Sequence, residues 1–287
     1  MRRRKTVPEI RAAAGREPLV MLTAYDAPTA RWGEAAGVDM LLVGDSLAMV
    51  VLGHETTLDV TLDEMIHHAR AVVRSSSRAL VVGDLPFGSY QVSVERTVEA
   101  GVRYLREAGV QAVKLEGAWT DRVRALVRAG IPVMGHIGLT PQSVHAMGGY
   151  RVQGRTEAAV RRLLDEALAL EAAGCFALVL EGMPSEVAAA ITRRLEIPTI
   201  GIGAGPECDG QVLVIHDLLG MTPPPRPRFV RPYALLGQAA ADAVRRWAEA
   251  VRARREPAPS QGYRLPRRAG RALDEAVRPA AVREVAP

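Results

Sequence analysis

Cysteine, lysine and long apolar runs are all scarce in this chain, and the shortages exclude several classes of protein. The two cysteines, Cys175 and Cys208, form neither a CxxC motif nor a disulfide framework, which favours a reducing compartment. The first ten residues, MRRRKTVPEI, are charged and lack the apolar segment of a signal peptide. No apolar run approaches the roughly 18 residues of a membrane span. We therefore expect a soluble, cytoplasmic protein with no membrane contact.

The net charge of +5 is concentrated at the carboxyl end of the chain. Residues 245–287 hold eleven arginines and five acidic residues, a net charge of +6, which leaves residues 1–244 at −1. A near-neutral body argues against a basic nucleic-acid-binding groove. We expect no nucleic-acid partner and favour a solvated basic tail, with contact to an acidic partner or RNA as the alternative.

Lysine is replaced almost everywhere by arginine, since only Lys5 and Lys114 are lysines among 37 basic residues. Lys114 lies in AVKLEG, a short apolar segment in which strand alternation places Lys114 and Glu116 on one face. Two interpretations follow. The site needs a compact, tunable ammonium, or the two residues form a pair that neutralises itself at the end of a strand.

A repeated pattern predicts the fold. The dipeptide AG, one variable residue, a short apolar strand and a polar residue recur from Ala36, Ala108, Ala129 and Ala173. This order is typical of a helix that ends at glycine and a parallel strand that ends in a functional loop. Strands are predicted near residues 20, 41, 80, 113, 133, 178, 199 and 213, which makes eight βα units.

The count predicts an α/β protein with a (β/α)8 TIM-barrel fold. We predict one barrel domain over residues 1–253, ending in a helix from about residue 233 to 251. The Arg/Pro/Ala-rich tail of residues 254–287 is expected to be poorly ordered.

In a TIM barrel, reactive groups gather at the carboxyl ends of the strands. The predicted strands end here in polar residues: Asp45, Asp84, Lys114 with Glu116, His136 and Glu181. The strands that end in Asp45 and Asp84 are consecutive, so their backbones should lie roughly 5 Å apart. Carboxylates at that distance repel by about 3 kcal/mol at an effective dielectric constant near 20. A divalent cation would convert this repulsion into binding, and oxygen ligands favour Mg²⁺; one shared proton or two arginine partners are the alternatives.

The segment of residues 138–154, GLTPQSVHAMGGYRVQG, has four glycines and no strong period. A loop of this length is uncommon unless it binds a ligand or acts as a lid. Packing between subunits is the alternative interpretation.

Taken together, several blocks resemble the ketopantoate hydroxymethyltransferase family over roughly residues 5–250. They include MLTAYDAPTA, LLVGDSLAMVVLGHETTLDVTLDEMIHHARAV, VVGDLPFGSY, AVKLEG, PVMGHIGLTPQSV, ALVLEGMP and IGIGAGPECDGQVLVIHDLLG. The resemblance implies a barrel of the phosphoenolpyruvate/pyruvate type and a homodecamer with one Mg²⁺ per subunit. It also implies transfer of the one-carbon unit of 5,10-methylenetetrahydrofolate to the α-keto acid 3-methyl-2-oxobutanoate through a Mg²⁺-stabilised enolate, as a step of pantothenate and coenzyme A synthesis.

The resemblance also assigns roles to the residues at the strand ends. By resemblance to the family motifs, Asp45 and Asp84 are the expected metal ligands, with Glu116 beside them, binding the metal directly or through water. Glu181 is the expected general base by the same resemblance. The contacts to the keto acid that it implies are Asp45, Ser46, Asp84, Lys114 and His136.

Two other functions stay open at this stage. A Mg²⁺-dependent carbon-carbon lyase or mutase could use the same barrel on another 2-oxo acid, without folate. A catalytically silent barrel whose basic tail binds nucleic acid is disfavoured, because the Asp, Lys and Glu positions are all present. The tail beyond Arg254 does not match the family pattern.

Overall fold

Eight parallel strands form a closed barrel in the computed structural model, which describes residues 3–277. The strands are β1 (Leu19–Thr23), β2 (Met40–Val43), β3 (Leu80–Asp84), β4 (Ala112–Lys114), β5 (Val133–Gly138), β6 (Ala177–Glu181), β7 (Thr199–Ile202) and β8 (Gly210–Leu213). Each strand pairs with the next, and β8 closes the ring against β1. The predicted (β/α)8 barrel and its eight strand positions are confirmed.

Helices connect and follow the strands. The α-helices are α1 (Val7–Arg11), α2 (Ala27–Ala36), α3 (Leu47–Val50), α4 (Leu62–Arg74), α5 (Val94–Arg103), α6 (Thr120–Arg128), α7 (Val144–Met147), α8 (Glu157–Ala173), α9 (Ser185–Thr192), α10 (Ile215–Leu218), α11 (Leu236–Arg252) and α12 (Arg267–Ala276). A π-helical turn, Tyr104–Ala108, extends α5, and 3-10 turns occupy Pro141–Ser143 and Pro259–Gln261.

The repeated AG dipeptide works as predicted, since its glycine ends a helix. Gly37 caps α2 with φ 76° and Gly174 caps α8 with φ 107°. Glycine adopts this left-handed conformation without the clash that a Cβ atom causes. Each helix therefore stops at a defined residue, and the chain turns into the next strand.

Strand alternation divides the apolar core into two layers. In β3, Leu80 and Val82 belong to the cluster inside the barrel, whereas Val81 belongs to the cluster between the strands and the helices. Asp84 is the next residue on the inner side of β3. The alternation that fills the barrel with apolar side chains thus delivers a carboxylate at its mouth.

The segment after β5 differs from its prediction as a loop without secondary structure. Pro141–Ser143 form a 3-10 turn and α7 follows directly, before Gly148 ends the helical turns with φ 66°. Two short turns have no room for a full helical period, so the hydrophobic pattern could not reveal them.

The chain packs as two compact units, one up to Leu236 and one from Gly237. The first unit holds the barrel. The second contains all of α11 except its first residue, together with α12, so part of the predicted tail is helical. Residues 278–287 of that tail lie outside the described residues, and the domain boundary at residue 253 stays a prediction. Among residues 3–277, no helix is long and apolar enough to cross a membrane.

Candidate active site at the carboxyl ends of the strands

Five consecutive strands, β2 to β6, bring the predicted polar residues together at the mouth of the barrel. Asp84, Lys114 and Glu181 are the last residues of their strands, and His136 lies within β5. The other two residues follow β2 and β4: Asp45 and Glu116. Asp45, Asp84, Lys114, Glu116 and His136 are each at most 4% exposed. The side chain of Glu181 is 17% exposed and is the most open of the six.

Lys114 lies at the centre of the cluster. Its Nζ atom is 2.8 Å from Asp84 Oδ1, 3.3 Å from His136 Nδ1 and 3.9 Å from Glu116 Oε1. Burial alone would lower the pKa of Lys114, but Asp84, Glu116 and Asp45 outweigh it and raise that pKa. The side chain is therefore a stable cation, and its main partner is Asp84 instead of its neighbour Glu116.

Three carboxylates share this single ammonium, so negative charge is in excess. The backbone N–H of Asp45 donates to Asp84 Oδ2 at 3.2 Å, which brings the two predicted metal ligands into contact. Burial raises the pKa of Asp84 to about 7; Asp45 adds to the increase and Lys114 opposes it. Burial likewise raises the pKa of Glu116 well above its usual value. Keeping all three carboxylates ionised in this buried site therefore costs free energy, and a further cation beside them would lower that cost.

Glu116 is held from the segment after β5. Its Oε2 atom accepts a hydrogen bond from the backbone N–H of Gln142 at 3.0 Å, and its own backbone N–H donates to the Tyr90 hydroxyl at 3.3 Å. His136 Nδ1 lies 3.6 Å from Glu116 Oε1. Glu116 therefore faces the Lys114 side of the cluster with one oxygen and the protein backbone with the other.

His136 connects the carboxylate cluster to Glu181. Burial and the nearby Lys114 lower the pKa of His136, which keeps the ring neutral. Because the ammonium of Lys114 can only donate, Nδ1 must accept and Nε2 carries the proton. Nε2 lies 3.2 Å from Glu181 Oε2, within hydrogen-bond distance although the angle is poor.

The backbone of Glu181 is fixed by the close approach of β5 and β6. Its carbonyl oxygen accepts from the N–H of Leu139 at 2.8 Å. A Cβ atom at Gly138 would lie 2.2 Å from this oxygen, so only glycine permits the approach. The carboxylate therefore projects from a fixed point at the rim.

Ser46 lies beside the cluster and is partly buried. Its hydroxyl is 2.8 Å from the Tyr25 hydroxyl. Tyr25 is fully buried, and burial raises its pKa, so it is a neutral phenol that can orient Ser46. Ser46 can thus present its hydroxyl group to a ligand at the mouth.

The cluster suits a divalent ion that keeps open coordination positions. Within the described residues, no group of three or more His, Cys, Asp and Glu side chains is arranged to hold a metal ion. Mg²⁺ usually binds through one or two carboxylates and completes its octahedron with substrate and water. The excess of buried carboxylate oxygen over cationic partners fits this type of site, and the predicted ligands Asp45 and Asp84 lie side by side in it.

Three residues of the site were given no role by sequence reasoning: Tyr25, Tyr90 and Gln142. Tyr25 follows β1, Tyr90 lies in the turn after β3 and Gln142 lies in the 3-10 turn after β5. Their positions beyond strand ends were the available signal. Their residue types are common in loops, so this signal did not separate them from ordinary turn residues.

Solved structures define the class of fold. The chain superimposes on phosphoenolpyruvate phosphomutase from Streptomyces platensis subsp. rosaceus with a TM-score of 0.59 and 17% identity, covering 95% of this chain and 97% of the other. For 2,3-dimethylmalate lyase, a member of the phosphoenolpyruvate mutase/isocitrate lyase superfamily, the TM-score is 0.55 at 22% identity, covering 94% and 96%. The chain thus has the barrel fold of that superfamily, as predicted.

The sequence comparisons identify the family within this class. The family model for ketopantoate hydroxymethyltransferase matches residues 4–259. The 3-methyl-2-oxobutanoate hydroxymethyltransferase of Oleidesulfovibrio alaskensis is 57% identical, covering 95% of each chain, and that of Gloeobacter violaceus is 58% identical, covering 83% of this chain and 92% of the relative. The chain belongs to the ketopantoate hydroxymethyltransferase family.

The raised pKa of Asp84 predicts a pH-dependent stability. A carboxyl group whose pKa rises on folding stabilises the fold below its unfolded pKa, and this contribution is lost as the pH rises through the folded value of about 7. In the metal-free protein, Asp84→Asn should therefore raise the free energy of unfolding, relative to the native chain, by roughly 2–3 kcal/mol more at pH 8 than at pH 5.

Urea unfolding in EDTA at both pH values measures this difference. Asp63→Asn, which changes an exposed aspartate of α4, is the matched control. An equal effect of Asp84→Asn at pH 5 and pH 8 would contradict the assignment of excess negative charge to Asp84.

Proposed function

We propose that the protein transfers the one-carbon unit of 5,10-methylenetetrahydrofolate to 3-methyl-2-oxobutanoate, giving 2-dehydropantoate (ketopantoate) and tetrahydrofolate. Membership of the family supports the reaction. The observation that carries the proposal is the continuous set of contacts from Asp84 through Lys114 and His136 to Glu181. The proposed metal ligand Asp84 and the proposed base Glu181 lie at its two ends, and the Lys114 ammonium, which can bind an anion, lies between them.

Asp45 and Asp84 are the proposed ligands of one Mg²⁺, with Glu116 beside them, bound directly or through water. Bound there, Mg²⁺ would polarise the 2-oxo carbonyl of the keto acid and acidify the proton on C3. Asp84 already receives the Lys114 ammonium on Oδ1 and the Asp45 N–H on Oδ2. These contacts hold the carboxylate in one orientation before a ligand arrives.

Lys114, Ser46 and His136 are the proposed contacts to the keto acid, with Asp45 and Asp84. Lys114 can offset the negative charge of the substrate carboxylate and of the oxygen that gains charge during proton removal. Its raised pKa makes it a poor nucleophile, so we do not assign it a Schiff-base role. The Ser46 hydroxyl, held by Tyr25, can donate to the same carboxylate.

Glu181 is the proposed general base. It takes the proton from C3 of the keto acid, and C3 then bonds to the one-carbon unit. Both bonds from this carbon to the folate, at N5 and at N10, break: C3 takes the place of one, and the hydroxyl group of a water molecule takes the place of the other. The proton from C3 and the remaining proton of that water end on the two folate nitrogens, which gives tetrahydrofolate. The neutral His136 lies with its Nε2 atom 3.2 Å from the Glu181 carboxylate. A neutral imidazole does not readily give up its N–H proton, so Glu181 stays ionised and able to act as a base.

We also propose that the protein is a cytoplasmic homodecamer that acts in pantothenate and coenzyme A synthesis. The family resemblance supports the assembly and the pathway. The scarcity of cysteine supports the location. The partners are then a small α-keto acid, a folate and other copies of the same chain.

The proposed reaction predicts three simultaneous requirements. 2-Dehydropantoate should form only when 3-methyl-2-oxobutanoate, 5,10-methylenetetrahydrofolate and Mg²⁺ are all present, and a product assay that omits each in turn tests this. Full turnover after exhaustive chelation would contradict the metal site. Cleavage of a 2-oxo acid without folate would favour the lyase or mutase alternative.

The base assignment predicts the behaviour of one conservative variant. Glu181→Gln should abolish exchange of the C3 proton of 3-methyl-2-oxobutanoate with deuterated solvent while the keto acid still binds, because the amide cannot accept the proton. Proton NMR measures the exchange. Glu186→Gln, a surface change five residues along the chain, is the control and should exchange normally. Exchange at the native rate in Glu181→Gln would remove Glu181 from this role.

A further inference from the structure

Gln142 connects the carboxylate cluster to the backbone around it. It is 4% exposed, and its side-chain Nε2 donates to Asp45 Oδ2 and to the carbonyl oxygen of Leu85, both at 2.9 Å. Its Oε1 accepts from the Tyr90 hydroxyl at 2.7 Å. We propose that Gln142, held by Tyr90, is the positioning residue that sets the orientation of the Asp45 carboxylate for metal binding.

The orientation of the Gln142 amide is fixed by its partners. The carbonyl oxygen of Leu85 and the Asp45 carboxylate can only accept hydrogen bonds, so both require the NH₂ group. The Tyr90 hydroxyl donates to the opposite atom of the amide, and Gln91 Nε2 faces the same oxygen at 3.3 Å. A rotated amide would place oxygen against oxygen at the Asp45 end. The network therefore has one arrangement only.

One oxygen of Asp45 is thereby committed to the protein. Gln142 donates to Oδ2, whereas no hydrogen bond within the described residues reaches Oδ1, which is therefore available to a ligand. The carboxylate of Asp45 follows β2 in a loop and not within the strand ladder, which ends at Val43. Gln142 supplies the side-chain restraint that the strand does not.

The main chain of the same residue holds a second carboxylate. The backbone N–H of Gln142 donates to Glu116 Oε2 at 3.0 Å. One 3-10 turn thus contacts carboxylates that follow β2 and β4, although these residues lie 97 and 26 positions away in the sequence. This arrangement gives the Pro141–Ser143 turn a role at the site.

The inference rests on the proposed Mg²⁺ site. The experiment distinguishes a failure of that metal site from a failure of the role assigned to Gln142. Isothermal titration calorimetry with MgCl₂ and no keto acid is performed first on the native protein and on Asp45→Asn. If the native protein fails to bind Mg²⁺, or if Asp45→Asn binds as the native protein does, the proposed metal site fails. Native binding that Asp45→Asn loses establishes the site on which Gln142 is then tested.

Gln142→Met keeps the length of the side chain and removes its amide. The loss of a group that orients a metal ligand should weaken Mg²⁺ binding roughly 10-fold or more. Gln153→Met, which removes a side-chain contact to the carbonyl oxygen of Arg151 in the same segment, is the control and should bind as the native protein does. Raising the Mg²⁺ concentration should recover turnover of Gln142→Met, which loss of folded structure would not allow.

Mg²⁺ affinity of folded Gln142→Met within twofold of the native value would overturn the proposal. Tyr90→Phe tests it independently, because this variant removes the hydroxyl that donates to Gln142 Oε1; the same hydroxyl also accepts from the backbone N–H of Glu116. It should weaken Mg²⁺ binding in the same direction and by a smaller factor, and in a double-mutant cycle the effect of Tyr90→Phe should be smaller in the Gln142→Met background than in the native protein. Native affinity in Tyr90→Phe would also overturn the proposal, including the case in which Gln142→Met does not fold.

Discussion

Three buried carboxylates and one ammonium share the mouth of the barrel, and the rest of the site depends on this imbalance of charge. Lys114 neutralises one carboxylate, through the 2.8 Å contact to Asp84. Burial raises the pKa values of Asp84 and Glu116 because water is excluded and the remaining negative charges repel. A divalent cation with oxygen ligands removes this penalty, and the keto acid can complete its coordination. An unfavourable cluster of this kind is what the proposed Mg²⁺ and keto-acid site requires.

The barrel supplies the geometry that makes such a cluster possible. Alternation along parallel strands fills the interior with apolar residues such as Leu80 and Val82, and the same periodicity ends in Asp84. Apolar layers inside the barrel therefore lie directly below the charged residues at its mouth. The low dielectric of these layers strengthens the electrostatic interactions at the mouth. The closed ring of strands sets the distances between the charged side chains. The apolar layers stabilise the fold, so the residues at the mouth of the barrel can carry charge.

The fold and most of the site could be predicted from the sequence because both depend on local patterns. Short apolar runs that end in a polar residue predict that Asp84, Lys114, His136 and Glu181 lie at the same edge of the sheet. The partner of Lys114 could not be predicted in this way. Alternation paired it with Glu116, two residues away, whereas the structure pairs it with Asp84 on the neighbouring strand, since the strand register decides which side chains meet. The Lys114–Glu116 pair is present only as the longer contact, at 3.9 Å, and within the described residues no arginine forms an ion pair with Asp45 or Asp84.

The residues missed by sequence reasoning are those that orient others. Gln142, Tyr90 and Tyr25 lie in turns with no hydrophobic period, and their partners are 20 to 100 positions away along the chain. The segment after β5 was predicted as an irregular loop, and its 3-10 turn is the element that presents Gln142. Such contacts form when the closed barrel brings distant segments together, so no short sequence pattern predicts them. The functional roles of all these residues stay predictions until they are tested.

Proton release on metal binding tests the central claim most directly, because carboxyl groups whose pKa values are raised by burial and by neighbouring negative charge must lose protons when a cation binds. Calorimetric titration of the metal-free protein with MgCl₂ near pH 6.5, in two buffers with different ionisation enthalpies, measures the number of protons released. With the pKa of Asp84 raised to about 7 and that of Glu116 raised as well, the account predicts the release of roughly one proton per Mg²⁺. Binding with no proton release would contradict it.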